Sequence, residues 1–229
     1  MMITTKGYLI SKQDYDLFDE IIVFLNEYGL KFTCFSSGSR KIKSKNGRSL
    51  FFGNFLEFSI FYSENKISRL KKVTTLSTLD DDNRNKISLW LINQIYTQLK
   101  IEHIKFFHFY QEILYLNLNN HNDYLIMLLI CIKLIKWFHL LDFNHIDYQQ
   151  NPNYLNLDDF TLVNQINSKH IKWKLNLKYT NIFLSIYKLE QIDHIDVSDI
   201  KVKVIILIIK RLLLLINNEL KLKINLNLI

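Results

Sequence analysis

No alanine occurs in this chain of 229 residues, which also has one proline, Pro152, five glycines and two cysteines. With isoleucine, leucine, asparagine and lysine abundant, that profile is the mark of an AT-rich coding sequence, so lysine content alone is weak evidence of function. The two cysteines, Cys34 and Cys131, stand far apart and form no pair pattern. They exclude a disulfide scaffold and a CxxC zinc site, and predict a reducing, cytoplasmic setting. Long apolar runs are missing too. Tyr124 to Ile132 and Val204 to Ile209 end at Lys133 and Lys210, short of the about 20 residues a bilayer span needs. The start, Met1-Met2-Ile3-Thr4-Thr5-Lys6, has no apolar signal core, so a soluble protein without a membrane partner is expected. Nor is there a glycine-rich phosphate loop, an HExxH or a nucleophile elbow. The seven histidines do not cluster: His103 and His108 are five apart, and Asp193-His194-Asp196-Asp199 reads more simply as a polar approach to a helix. A non-enzyme without metal or cofactor is the expectation.

What is present is an apolar content of 48%, enough for a core, and a net charge of +7. The charge is uneven. Residues 1 to 78 carry 12 Lys and Arg against 7 Asp and Glu, whereas residues 79 to 229 carry 17 against 15. Polyanions would be drawn to the first third, though an anionic membrane surface satisfies the same arithmetic. The excess peaks between Phe35 and Phe52, where Arg40, Lys41, Lys43, Lys45 and Arg48 fall within nine residues without an acid. Gly38, Gly47 and the serines between them let the backbone follow a surface while arginine and lysine supply donors to phosphate oxygens. Two readings stay open, a nucleic-acid contact loop and an ordinary solvated connection.

Turn residues cut the first third into five strand-like runs: Thr4 to Lys12, Glu20 to Asn26, Leu30 to Ser37, Leu56 to Ile60 and Ile67 to Ser77. Leu56-Glu57-Phe58-Ser59-Ile60 alternates with period two, which puts one face inward. Five strands in so short a stretch are too few for a sandwich and enough for a small OB-like barrel, over residues 1 to 78. Phe35, Phe51, Phe52 and Tyr62 are candidates for base stacking or for the barrel core.

The pattern then changes to helical, over residues 79 to 229. Asp80-Asp81-Asp82 reads as a helix start rather than a cation site, because adjacent side chains diverge while acids suit the helix dipole. Ile87 to Leu118 repeats apolar residues at three and four, as two helices broken near Glu102. His121-Asn122-Asp123 can cap a helix over Tyr124 to Leu141, whose polar positions Lys133, Lys136 and His139 form one stripe, either a solvated edge or a dock for an acidic partner. Asp142 to Asp159 reads as a polar linker, and Phe160 to Lys178 carries no assignable pattern. Thr180 to Leu189 is a short helix, and Asp196 or Ser198 caps a last one, Asp199 to Asn217. In that last segment β-branched residues favour a strand, but its length without a turn signal favours a helix.

The first third resembles the RecO family of bacterial recombination mediators. The likeness runs through Gly7-Tyr8-Leu9-Ile10, a polar segment with Asp14-Tyr15 and Asp19, Ile21 to Leu25, Tyr28-Gly29, and then Ser37-Gly38-Ser39-Arg40-Lys41-Ile42-Lys43-Ser44 and Leu50-Phe51-Phe52. It is specific over residues 4 to 77 and beyond them rests on order and length, with Asn217 to Lys223 standing where RecO chains end. The resemblance implies an OB-fold barrel followed by an all-helical domain. Many RecO proteins insert a four-cysteine zinc module near Asp142 to Asp159; that region here has no cysteine, as in the zinc-free members. The implied function is to bind single- and double-stranded DNA, anneal complementary strands, and act with RecR to load recombinase onto strands coated by single-stranded DNA-binding protein, in the cytoplasm at the nucleoid. An RNA- or ribosome-associated OB protein is the alternative. Arg40, Lys41, Lys43, Lys45 and Arg48, supported by Lys71 and Lys72, are the expected DNA contacts, with Lys133 and Lys136 the expected partner contacts.

Overall fold

The computed structural model describes residues 1–64, 66–119, 122–143, 153–164, 175–188 and 201–226, and divides into two compact units, Met1–Asp123 and Tyr124–Ile229. In the first unit, β1 (Met2–Asp14), β2 (Glu20–Asn26), β3 (Lys31–Ser36), β4 (Phe55–Phe61) and β5 (Ser68–Ser77) close a barrel in the order β1-β2-β3-β5-β4. This is the five-stranded Greek-key barrel of the OB fold, the architecture expected from the strand pattern. Closure depends on β1, whose first half pairs with β4 and whose second half pairs with β2, with an irregularity between Leu9 and Ser11 that lets the strand bend from one partner to the other.

Inward positions fill the barrel. Leu9, Ile22, Phe24, Cys34, Leu56, Phe58, Ile60 and Val73 form its core, where the Phe24 and Phe58 rings stack with centroids 4.0 Å apart. Burial pushes the Cys34 thiol up to about 12, so it packs as a small hydrophobe rather than a nucleophile.

Helices follow: α1 (Asp81–Arg84), α2 (Ile87–Gln98) and α3 (Ile104–Leu118). Asp80 caps α1 through the Asn83 N–H at 3.0 Å, so the acidic triplet is a helix start. α2 and α3 pack on the outside of β1, where Tyr8 sits among Phe55, Phe107 and Tyr110, and the Tyr110 hydroxyl donates to Asn93 at 2.8 Å. The break between α2 and α3 is stitched to the barrel. Glu102 accepts from the Lys31 N–H at 3.0 Å, while the Lys31 ammonium donates to the Tyr96 and Leu99 carbonyls at the end of α2. Burial draws the Lys31 pKa down, Glu102 opposing it. Replacing Lys31 by Met would orphan those carbonyls; a loss of about 1.5–3 kcal/mol in chemical denaturation is expected.

Asp123 does something the sequence did not suggest. It was expected to help cap the helix that follows it. Its carboxylate instead accepts from the Ile87 and Ser88 N–H groups at 2.8 and 3.1 Å, capping α2 from 35 residues away. His121, Asp196 and Ser198, the other proposed caps, and the Asp193–Asp199 stretch lie outside the described residues.

The second unit holds α4 (Asp123–Trp137, most of it here), α5 (Leu177–Lys188) and α6 (Val202–Leu220). It also holds a two-stranded antiparallel sheet, β6 (Asn153–Leu155) with β7 (Leu162–Asn164). This small sheet adds to the helices expected after the barrel, and β6 with the turn after it stands in the described part, 153–159, of the stretch read as a polar linker. Leu155, Leu157 and Phe160 are buried, and the Leu155 N–H donates to the Thr180 hydroxyl at 3.0 Å. α4 stops at Trp137, four residues earlier than expected. His139 takes a left-handed conformation (φ 50), with Leu140 N–H bonded to the Ile135 carbonyl and His139 N–H to Lys136, a Schellman stop. His139 therefore leaves the stripe, which reduces to Lys133 and Lys136. α6 is helical as length indicated, and buries Ile205, Ile208, Ile209, Leu212, Leu213 and Ile216, the one-face spacing of a helix.

Candidate nucleic-acid interface

Residues 37–54 join β3 to β4 as a chain of hydrogen-bonded turns with no strand or helix. Lys41 N–H bonds the Gly38 carbonyl, Ser44 N–H the Lys41 carbonyl, Gly47 N–H the Ser44 hydroxyl, and Ser49 N–H the Asn46 carbonyl. Gly47 has to be glycine, since a Cβ there would run into the Ser39 carbonyl. The connection is thus a folded element, and three anchors hold it on the barrel.

The first anchor is apolar. Leu50 is 0% exposed and belongs to the barrel core, with Phe52 packed against that core. The second is the β1–β2 turn. Asp19 accepts from the Gly38 N–H at 2.7 Å, the Phe18 carbonyl accepts from Arg40 N–H at 3.1 Å, and the Arg40 guanidinium meets Asp14 at 2.9 Å. The third is Asn46, whose side chain accepts from Val73 N–H at 3.2 Å and donates to the Lys71 carbonyl at 3.5 Å. Lys12 adds a tie: its ammonium bridges the buried Glu20 at 3.2 Å and the Leu50 carbonyl at 3.3 Å. Lys12→Met is expected to cost about 1.5–3 kcal/mol of stability in a denaturant titration, because it leaves the Glu20 carboxylate without its ion-pair partner in a nearly closed site.

These anchors sort the expected contacts. Arg40, Lys41, Lys43, Lys45, Arg48, Lys71 and Lys72 are all exposed to solvent. Arg40 is committed to Asp14 and to the Asp16 carbonyl, and the Lys41 ammonium lies 5.5 Å from the centre of the Phe18 ring. Lys43, Lys45, Arg48 and Lys72 have no ion-pair partner among the described residues. Lys71 leans over the Phe61 ring at 5.3 Å. Lys45 and the distant pair Lys71-Lys72 line one open cleft with Ser44, Asn46 and Val73. A rim of unpaired cations on a rigid loop can neutralise successive phosphates, and its charge attracts polyanions before contact.

The aromatic candidates divide. Phe52 packs against the core, and Phe35 is half-buried, edge-on to Tyr15 at 5.4 Å. Phe51 and Tyr62 are exposed, but Phe51 lies under the Arg84 guanidinium at 4.7 Å. The β1–β2 turn contributes exposed Tyr15, Leu17 and Phe18, and Ile42, between two lysines, is 94% exposed. In the second unit, Lys133 and Lys136 are half-buried on α4, with the Lys136 ammonium 5.0 Å from the centre of the Tyr187 ring. Among the described residues no group of three or more His, Cys, Asp or Glu is placed to hold a metal ion, and no helix is long and apolar enough to cross a membrane.

A closed OB barrel with a cationic connection tied onto it, followed by helices, defines a β-then-α protein with a polyanion-attracting surface. No protein-family model matches the chain. It is 30% identical over 152 residues to the DNA repair protein RecO of Mycoplasma mycoides subsp. mycoides SC, an alignment covering 63% of this chain and 59% of that protein. The expected resemblance to RecO is thereby borne out as sequence similarity, over less than two thirds of either protein's length.

Proposed function

We propose that this protein is a DNA-binding recombination mediator of the RecO kind, which binds and anneals single-stranded DNA in DNA repair and acts by binding rather than catalysis. The observation that carries the reading is the set of unpaired cations Lys43, Lys45 and Arg48, on a connection that Leu50, Asp19 and Asn46 pin to the barrel, with Lys72 on the β5 strand beside it. A mediator must take any sequence. Phosphate neutralisation does this, because backbone contacts carry no base information. The partners in this reading are single- and double-stranded DNA, RecR and single-stranded DNA-binding protein, and the site of action is the nucleoid in the cytoplasm. Lys133 and Lys136 on α4 are the proposed contacts for the acidic tail of that binding protein.

The test is strand annealing, followed by fluorescence of complementary labelled oligonucleotides with and without a coat of single-stranded DNA-binding protein. Acceleration of annealing in both conditions is the expected result. Preference for structured RNA with no annealing would replace the reading by that of an RNA-associated barrel. For the tail, titration of its peptide against a Lys133→Ala, Lys136→Ala variant should show binding weakened several-fold; wild-type affinity removes these two lysines from the partner surface.

A further inference from the structure

β3 and β5 pair only at Cys34 with Ser68 and Phe35 with Arg69. Beyond Leu70 the β5 edge is taken up by the side chain of Asn46, which offers an acceptor to Val73 N–H and a donor to the Lys71 carbonyl as a neighbouring peptide would. A second irregularity acts at the same place. The β4–β5 register shifts between Ser59 and Ile60, with Lys72 opposite Ser59 and Leu70 opposite Ile60, so Lys71 is the extra residue. Strand side chains alternate between faces; this bulge breaks the alternation and leaves Lys71 and Lys72 both exposed. Asn46 thus brings Lys45 beside a lysine pair that the bulge has turned outward. The resulting cleft is lined by Ser44, Lys45, Asn46, Lys71, Lys72 and Val73, with no acid among them. Lys45 and Lys72 have no ion-pair partner among the described residues. Like charges gathered without a counter-charge repel, and an anion seated between them relieves the repulsion.

We propose that this cleft is a seat for one backbone phosphodiester of a single strand, with Lys45 and Lys72 as its direct donors and Asn46 as the positioning residue that sets the distance between them. The proposal rests on the DNA-binding reading above and locates a particular phosphate within it.

The test measures binding of a fluorescent oligo-dT to the full chain across a salt series. Lys45→Ala with Lys72→Ala should make the salt slope shallower by roughly 0.7 log units, the share of the one phosphate the seat holds on a single strand. Asn46→Ala removes no charge, yet should lower affinity several-fold, and in that background Lys45→Ala should cost less than about twofold, because coupled residues are not additive. Circular dichroism melting checks that each variant keeps its barrel. An unchanged slope in the double lysine variant overturns the seat even if Asn46→Ala fails to fold, and additive losses for Asn46→Ala and Lys45→Ala overturn the positioning role. In both cases wild-type binding leaves the DNA-binding reading standing. A wild-type protein that does not bind the oligonucleotide overturns that reading and the seat together.

Discussion

Reversing Lys43, Lys45 and Arg48 to glutamate should reduce single-strand affinity by at least about 10²-fold at about 0.1 M salt, since three lost contacts forfeit roughly 0.7 log unit each per tenfold of salt. These three are chosen because nothing in the described structure engages them, whereas Arg40 is already matched by Asp14. Arg40→Glu should therefore act through the loop's anchorage, placing two acids together, more than through a lost phosphate contact. The readout is fluorescence anisotropy with melting as the fold control. Affinity within twofold of wild type, on a protein that melts normally, would remove the loop from the interface.

Leu50→Ala should have the largest effect on stability. Leu50 is fully buried among Leu9, Ile22, Phe24 and Phe58, yet it belongs to the connection rather than to a strand. Truncating it removes the core contact that holds residues 37–54 down and leaves a cavity in a close-packed barrel, at a cost of about 2–5 kcal/mol. Equilibrium unfolding in guanidinium measures this. The same variant should bind DNA more weakly without losing a cation, since an unpinned loop presents its charges in many arrangements, each ordered only at an entropic cost. A loss under 1 kcal/mol would mean that the connection is held by its polar anchors alone.

The sequence showed the barrel because period-two alternation and turn residues report local geometry. The strand bounds it suggested depart most at β1, where the extension to Met2 and Asp14 comes from pairing with two partners, a tertiary cause. It showed α6 as a helix despite Val202, Val204, Ile205 and Ile206, because burial on one face outweighs propensity. It missed β6 and β7, each three residues long, too short for periodicity to register. Asp123 read as the local cap of its own helix, and its use across 35 residues had no sequence signal.

The candidate site shows the same division. The cation run was plain, and the RecO-like Asp14, Asp19, Gly38 and Arg40 prove to be joined in one network, the turn acids holding the loop's backbone and guanidinium. Asn46 and Ser44, by contrast, read as ordinary turn residues, and the link from Asn46 to Lys71 and Val73 appears only once β5 is placed. Leu50 read as part of an apolar stretch after the loop, with nothing to mark it as a member of the barrel core.

The most direct test of the whole account is amide hydrogen exchange of the wild-type protein with and without oligo-dT. Protection on binding should concentrate in residues 37–54 and 70–73, the connection and the β5 edge it docks on. Binding that protects the helical unit and leaves those two segments unchanged would contradict it.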